Sequence, residues 1–210
     1  MRINLSSRSF FLKFFSLLLY NKEKYGKWEN MKIGLVRHFK VNHAYPTKRV
    51  ERIELQQWLN GYDEADIEEK DIDLLGIDWT CCFVSDLPRA LTTAKSIYND
   101  ELFVRSELRE IPVSPFFKRG IKLSVKSHAV IMRLAWICNH SSQTEKKAEV
   151  KKRVTTVVDE ILAEKRENVL VVSHGAVMIY LRKELLKRGF KGEKFTRAHN
   201  ARVYLYEKEE

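Results

Sequence analysis

The chain has 210 residues, a length typical of one domain that buries a substantial core, and two full domains are not expected. Hydrophobic residues make up 44% and charged residues 31% of the sequence, with few Gly and Pro, which excludes disordered and fibrous classes. The net charge of +10 would suit nucleic acid, a membrane surface or an anionic small substrate. Because zinc-finger spacing, a glycine-rich RNA-binding signature and a basic helix with heptads are missing, no nucleic-acid partner is expected.

Residues 1–30 differ in character from the rest of the chain. The hydrophobic stretch 8–20 is interrupted by Lys13, is too short to span a bilayer, and is not followed by a signal-peptide cleavage site. An interfacial anchor is the one membrane association that this composition leaves open. Because Met31 stands directly before the first predicted core strand, we predict that residues 1–30 are a dispensable extension and that residues 31–210 form the domain.

Strand and helix patterns alternate along that domain. Buried strands are predicted at 32–37, 80–85 and 168–173, and a last strand at 203–206. Helices are predicted at 48–60 with Gly61 as the end, from Pro88 after a Ser85 or Asp86 cap, at 127–140, at 145–164 with a Ser142 and Glu145 capping box, and at 175–188. This alternation predicts an α/β three-layer sandwich, with a mostly parallel central sheet flanked by helices.

The three cysteines point to a reducing compartment. Cys81, Cys82 and Cys138 form neither a CxxC pair nor the framework of a secreted disulfide-rich domain. Cys81 and Cys82 stand in the second predicted strand, where small hydrophobic side chains are expected more than metal ligands. We therefore predict a cytoplasmic location.

Polar side chains follow three of the predicted strands. Arg37 and His38 end the first strand, Arg89 opens the helix after the second, and His174 ends the third. Because the carboxyl ends of parallel strands meet at one edge, these four side chains are expected to lie together. Guanidinium groups pair with phosphate oxygens and imidazole can attack phosphorus, so the group suits a phosphoryl ligand. No metal is expected, because the arginines disfavour a cation and no carboxylate cluster accompanies the histidines.

Four motifs that contain these residues occur in a characteristic order. They are Leu35-Val36-Arg37-His38, Ser85-Asp86-Leu87-Pro88-Arg89-Ala90 with Thr93 and Ala94, Leu108-Arg109-Glu110, and Val171-Val172-Ser173-His174-Gly175. Through them the chain resembles, over about 31–207, the histidine phosphatase superfamily, which includes the cofactor-dependent phosphoglycerate mutases.

The resemblance implies a role for each matching residue. His38 would be the nucleophile that becomes phosphorylated, and Arg37, Arg89 and His174 would hold the phosphoryl oxygens, with neither cofactor nor metal ion. Glu110 matches the family's proton donor, which protonates the leaving oxygen and then activates water, although a surface carboxylate is the alternative.

The chain departs from the family pattern directly after His38. Where the family has Gly, an acidic residue and Ser or Thr, this chain has Phe39, Lys40 and Val41, and Ala44 stands at the spacing of the family's Asn. Phe39 could therefore crowd the site.

Hydrolysis of a small phosphorylated metabolite is the expected function. The alternatives are a phosphoglycerate mutase-type phosphotransferase and an inactive, phosphate-binding regulatory protein of the same fold. A mutase needs a lid that excludes water, and the candidate lid, a small insertion at about 111–144, holds one apolar helix and a basic loop, which favours hydrolysis. The lid residues that could bind a second anionic group of the substrate are Lys118, Arg119, Lys122 and Arg133. The oligomeric state stays open.

Overall fold

The computed structural model describes residues 30–118 and 120–208, so the predicted extension lies outside it except for Asn30. The strands are β1 (Lys32–Arg37), β2 (Lys40–Val41), β3 (Ile67–Glu68), β4 (Cys81–Ser85), β5 (Leu102–Arg105), β6 (Asn168–Ser173), β7 (Lys191–Gly192) and β8 (Val203–Glu207). The helices are α1 (Arg52–Glu64), α2 (Pro88–Ile97), α3 (Val125–Ile137), α4 (Lys147–Ala163) and α5 (Gly175–Lys187), with a 3₁₀ helix at Ser106–Leu108. Within the described ranges, no helix is long and apolar enough to cross a membrane.

A six-stranded sheet with the order β5-β4-β6-β1-β8-β7 forms the centre of the molecule. β5, β4, β6 and β1 pair in parallel, whereas β8 pairs antiparallel with both β1 and β7. The predicted fold class is confirmed. Since β1, β4 and β6 are parallel neighbours, their carboxyl ends open onto one edge of the sheet.

Helices cover both faces of this sheet. On one face, alternate strand residues such as Leu35 and Val171 pack with side chains of α4 and α5. On the other face, Val36 and Val172 pack with Ala90 and other side chains of α2. Because successive strand residues point to opposite faces and both faces are covered, the central strands need apolar residues at nearly every position. This requirement explains the continuous apolar runs in the sequence.

Cys81 and Cys82 illustrate the alternation. Cys81 belongs to the core on the α4 and α5 face, and Cys82 to the core on the α2 face. Burial raises the pKa of the Cys81 thiol to about 11 and that of Cys82 to about 12. Both cysteines are therefore neutral thiols that pack as small hydrophobic side chains.

Two helices have N-cap residues other than those predicted, although α2 begins at Pro88 as predicted. Before α2, Leu87 is the N-cap, while the Ser85 side chain contacts His174 and Asp86 pairs with Arg109. α4 begins at Lys147, two residues later than expected, and its N-cap is Lys146 instead of Ser142; the Lys146 backbone N–H donates to the Glu149 carboxylate at 2.6 Å. Glu145, the expected capping residue, instead pairs with Arg153 at 2.6 Å.

α1 does not end at Gly61, as predicted, but continues to Glu64. A Cβ atom on Gly61 would lie 3.0 Å from the His43 ring, so the glycine allows the loop after β2 to pack closely against the helix.

The segment 111–144, predicted as a lid, contains α3 and packs against α1. Val125 and Met132 of α3 share a small core with Val50 and Leu55, and Leu123 pairs with Val50 through backbone hydrogen bonds. Its role as a lid stays a prediction.

Candidate active site

His38 and His174 lie together at the shared strand edge. Arg37 of β1 is in register with Ser173 of β6, and the His38 backbone N–H donates to the Ser173 carbonyl at 3.0 Å. The two imidazole rings that follow have centroids 5.0 Å apart, and both side chains are buried. The parallel pairing of two strands therefore places two histidines side by side.

Main-chain contacts orient the His38 ring. Its Nδ1 lies 2.6 Å from the Phe39 carbonyl oxygen, which can only accept, so Nδ1 carries the proton. Nε2 then holds a lone pair and has no protein partner within the described residues. Two further hydrogen bonds fix the main chain here. The Phe39 N–H donates to Thr93 Oγ1 at 2.9 Å, and Asn200 Nδ2 donates to the His38 carbonyl at 2.7 Å.

Both histidines are neutral near pH 7. Burial, followed by the positive charges of Arg89 and Arg37, lowers the pKa of His38 to about 3, against a smaller opposing effect of the Phe39 carbonyl. Burial, followed by the neighbouring His38, holds the pKa of His174 well below its usual range. A neutral imidazole keeps the lone pair that a nucleophile needs.

The His174 ring has one nitrogen in contact with protein and one free. Nε2 lies 2.8 Å from Ser85 Oγ, and that oxygen accepts the Leu87 N–H at 3.3 Å. The Ser85 hydroxyl can therefore donate to Nε2, which leaves the ring proton on Nδ1. Nδ1 is buried and has no partner in the part of the chain that the structure describes. Because an unsatisfied buried donor costs about 1–3 kcal/mol, a ligand oxygen would be stabilising here.

Arg37 and Arg89 each keep a free donor. Arg37 donates from one terminal nitrogen to the Ala198 carbonyl at 2.9 Å, and Arg89 donates to Asp63 at 2.7 Å. The Nε atoms of both arginines are buried without a partner among residues 30–118 and 120–208. A Cβ at Gly175 would lie 3.2 Å from the Arg37 Cζ, so this glycine lets the guanidinium lie against the first turn of α5.

Glu110 lies at the same end of α5. Its carboxylate accepts backbone N–H groups from Ile111 at 2.8 Å, Ala176 at 3.1 Å and Val177 at 3.2 Å. The N-terminus of a helix favours negative charge, and this helix begins directly after His174. The predicted proton donor is thus positioned by the same helix that follows the second histidine.

A cavity of about 570 Å³ opens beside these residues, and both Arg89 and Glu110 line it. Its other lining residues come from α1, from the turn before α2 and from the segment around Glu110, with Glu145 from the loop before α4 and Arg153 from α4. In the described part of the chain, no group of three or more His, Cys, Asp and Glu side chains is placed to hold a metal ion.

The lid residues Lys118 and Arg133 do not reach this cavity. Lys118 is exposed, and Arg133 lies 5.8 Å from the centroid of the Trp136 ring on its own helix. Lys122 pairs with Glu51 at 3.5 Å. Neither Lys118, which precedes α3, nor Arg133 of α3 lines the cavity, so the structure does not bring them together with the other predicted site residues, and their substrate-binding role stays a prediction. Arg119 lies outside the described residues.

Phe39 does not crowd the site, contrary to expectation. Its side chain is buried and lines a different cavity, together with Ile72 and Ile97. Sequence reasoning also missed the contacts of Asn200, which no motif marked, and of Thr93, which stands inside the second motif but had no assigned role.

The comparisons with known proteins agree with this geometry. The model of the histidine phosphatase superfamily (branch 1) matches residues 33–210. The chain belongs to this superfamily. It is accordingly an enzyme of the phosphatase type, and the superfamily works without a metal ion. No curated protein matches the chain in sequence.

Two solved structures with TM-scores of 0.50 or more show the same fold, and a third match is weaker. Native mycobacterial glucosyl-3-phosphoglycerate phosphatase is 20% identical over 83% of this chain and 89% of that chain, with a TM-score of 0.52. A mycobacterial glucosyl-3-phosphoglycerate phosphatase with VO3 is 20% identical over 83% of this chain and 92% of that chain, with a TM-score of 0.50. A putative alpha-ribazole-5'-P phosphatase from Escherichia coli K-12 is 22% identical over 83% and 89% of the two chains, with a TM-score of 0.48.

Proposed function

We propose that the protein hydrolyses a small phosphomonoester through a phosphohistidine at His38. The observation that carries the proposal is the His38 ring, which is neutral, donates its Nδ1 proton to the Phe39 carbonyl and keeps the Nε2 lone pair free beside two arginines. Nε2 forms a bond to phosphorus while the ester P–O bond breaks, and its electron pair leaves on the alcohol oxygen. The free donors of Arg37, Arg89 and His174 stabilise the oxygens of the phosphoryl group.

Glu110 donates a proton to the leaving alcohol and later accepts one from the attacking water. Its Oε1 accepts three backbone N–H groups, whereas Oε2 accepts only that of Ala176, so Oε2 is the oxygen available to carry a proton. The acid protonates the leaving alcohol oxygen. Glu110 then takes a proton from water as the water oxygen attacks phosphorus and the P–N bond breaks, which releases inorganic phosphate and restores neutral His38.

The cavity supports hydrolysis rather than transfer. A volume of about 570 Å³ leaves room for a leaving alcohol, and afterwards for several waters of about 30 Å³ each. A phosphohistidine open to such water is short-lived, whereas a mutase must protect it. The phosphatase activity named for the mycobacterial relative supports the same reaction class. A metabolite-sized substrate and a cytoplasmic location stay predictions.

The proposal is tested by hydrolysis of p-nitrophenyl phosphate in the presence of a chelator. The unsubstituted protein should release phosphate, and His38→Asn should lose about 10⁴-fold or more in kcat, since the covalent route is removed. His140→Asn, which replaces an exposed histidine outside the site, is the matched control and should keep the activity. Undiminished hydrolysis by His38→Asn would overturn the proposal. Fast exchange between phosphoglycerates with negligible phosphate release would make the protein a mutase.

A further inference from the structure

Three arginines line the cavity beside the phosphoryl site, and each already forms an ion pair. The pairs are Arg89 with Asp63 at 2.7 Å, Arg109 with Asp86 at 2.6 Å, and Arg153 with Glu145 at 2.6 Å. Arg109 and Arg153 each bind both oxygens of their carboxylate, which is the geometry that satisfies a guanidinium most fully. Apart from the unpartnered Nε of Arg89, these pairs leave no unpaired guanidinium in the described lining for a ligand.

Arg153 also forms hydrogen bonds to main-chain carbonyl oxygens. Its second terminal nitrogen donates to the carbonyls of Glu107 at 2.5 Å and Arg109 at 2.9 Å. The side chain thus ties α4 to the segment that carries Glu110. Releasing it toward a substrate would break contacts that hold a proposed catalytic residue.

Carboxylates balance the cations of the cavity. Asp63, Asp86 and Glu145 each neutralise one of the three arginines, and Glu110 adds a further carboxyl group to the lining. A second anionic group on a substrate would lose water without gaining an unpaired cation among the described residues, and it would face these carboxylates. Burying an anion without a partner is strongly unfavourable.

The remaining lining is uncharged. One face of α1 contributes the Gln56 and Asn60 amides, which hydrogen-bond to each other at 3.0 Å, and Tyr62 of the same helix also lines the cavity. The other neutral residues are Leu59, Leu87, Ser106, Ile111, Pro112 and Val113. Amides and a hydroxyl beside apolar surface suit an alcohol that carries further hydroxyl groups.

We propose that the site selects phosphomonoesters whose leaving alcohol is an uncharged polyol or sugar, and rejects those that carry a second anionic group. This inference rests on the proposed function, because the cavity receives the leaving alcohol only if His38 is the nucleophile. It replaces the expectation, drawn from the charged lid residues, that the substrate carries an additional anion.

Matched substrate pairs test the selectivity. Glycerol 3-phosphate differs from 3-phosphoglycerate by a neutral CH₂OH group in place of a carboxylate, and glucitol 6-phosphate differs from 6-phosphogluconate in the same way. Phenyl phosphate and 4-carboxyphenyl phosphate form an aromatic pair. The uncharged member should have a kcat/KM about tenfold higher or more, since uncompensated like charges oppose binding of the other.

The outcomes separate this inference from the proposed function. Equal kcat/KM values within the pairs, or preference for the anionic members, would overturn the selectivity while leaving the phosphatase reaction intact. If no substrate, including p-nitrophenyl phosphate, releases phosphate, then the proposed function fails and the inference fails with it.

Releasing one cavity arginine should weaken the selectivity. Asp86→Asn removes the charge that occupies Arg109, and we expect the preference for glycerol 3-phosphate over 3-phosphoglycerate to fall about fivefold, within the range of a single exposed charge pair. Glu160→Gln is the matched control, because it releases Arg105, which pairs with Glu160 outside the cavity. A preference that changes equally in both variants would show that paired arginines do not set the selectivity.

Discussion

The two ends of the active site use arginine in opposite ways. At the phosphoryl end, Arg37 and Arg89 each keep a buried Nε without a partner in the described part of the chain, beside two neutral histidines. In the cavity, Arg109 binds both oxygens of Asp86, and Arg153 binds Glu145 and two main-chain carbonyls. Among the described residues of the site, the arginines with buried, unpartnered donors are thus those at the phosphoryl end. The chain's net charge of +10 does not predict the charge of such a site, because an arginine that is already paired with a carboxylate is not free to bind a ligand anion.

The largest expected effect separates the two kinds of arginine. Arg37→Met should lower kcat about 10³-fold, because a donor to the charge of the transferred phosphoryl group is lost. Arg109→Met should change kcat by less than about tenfold, since that guanidinium is already paired. Steady-state kinetics on glycerol 3-phosphate, with circular dichroism to verify folding, measure both. If the two losses are equal, the distinction between the ends of the site is wrong.

Glu110→Gln should lower kcat/KM, which reports the phosphorylation of His38, by about 10² on alkyl phosphates, the lower end of the usual effect of a general acid. The loss of kcat/KM should be smaller on p-nitrophenyl phosphate, whose leaving group needs no proton. Gln keeps an oxygen that can accept the N–H groups of α5, so stability should change little. Glu107→Gln, on the adjacent 3₁₀ helix, is the control. Equal losses of kcat/KM on both substrates would contradict a role as proton donor and indicate a structural one.

The buried histidines should make stability depend on pH. Unfolded His38 titrates near 6.5 whereas the folded pKa is about 3, so below about 6.5 the unfolded chain binds a proton that the folded protein does not. Stability is therefore full above that pH and falls toward pH 3, by up to about 1.4 kcal/mol per pH unit for each such histidine. Urea unfolding at about pH 7 and about pH 5 should show a shallower dependence in His38→Asn. An unchanged dependence would contradict the burial of a neutral His38.

Asp63→Asn should have the smallest effect. The Asp63 side chain is 61% exposed, so its pair with Arg89 adds at most about 1 kcal/mol to stability. It also orients the arginine that serves both ends of the site, so kcat/KM should fall about threefold to tenfold without a change in Tm. Glu68→Gln, which breaks the exposed pair with Lys40, should change neither quantity. A loss of Tm without a loss of kcat/KM would assign Asp63 a structural role only.

The parts of the fold that were predictable are those with a local signature. The central strands read as apolar runs because both of their faces are covered, and parallel strands bring Arg37, His38 and His174 to one edge by topology alone. β5 was missed because a four-residue strand at the edge of the sheet, with partly exposed side chains, has no comparable pattern.

The unpredicted parts of the site depend on tertiary packing. Asn200 contacts the His38 carbonyl from a loop more than 160 positions away, and no local pattern marks it. The placement of Arg133 depends on which face of α3 meets α1, and its basic character suggested a substrate contact that the packing does not provide. The ion pair between Arg109 and Asp86 likewise could not be predicted from the composition of the chain.

Detection of phosphorylated His38 tests the central claim most directly. The protein is mixed with excess p-nitrophenyl phosphate, quenched in alkali, in which phosphohistidine survives, and mapped by mass spectrometry. We expect the phosphoryl group on the peptide that contains His38, no label in His38→Asn, and more label in Glu110→Gln, because hydrolysis of the intermediate is slowed. Turnover with the label on another residue, or with no label at any quench time in Glu110→Gln, would contradict the account.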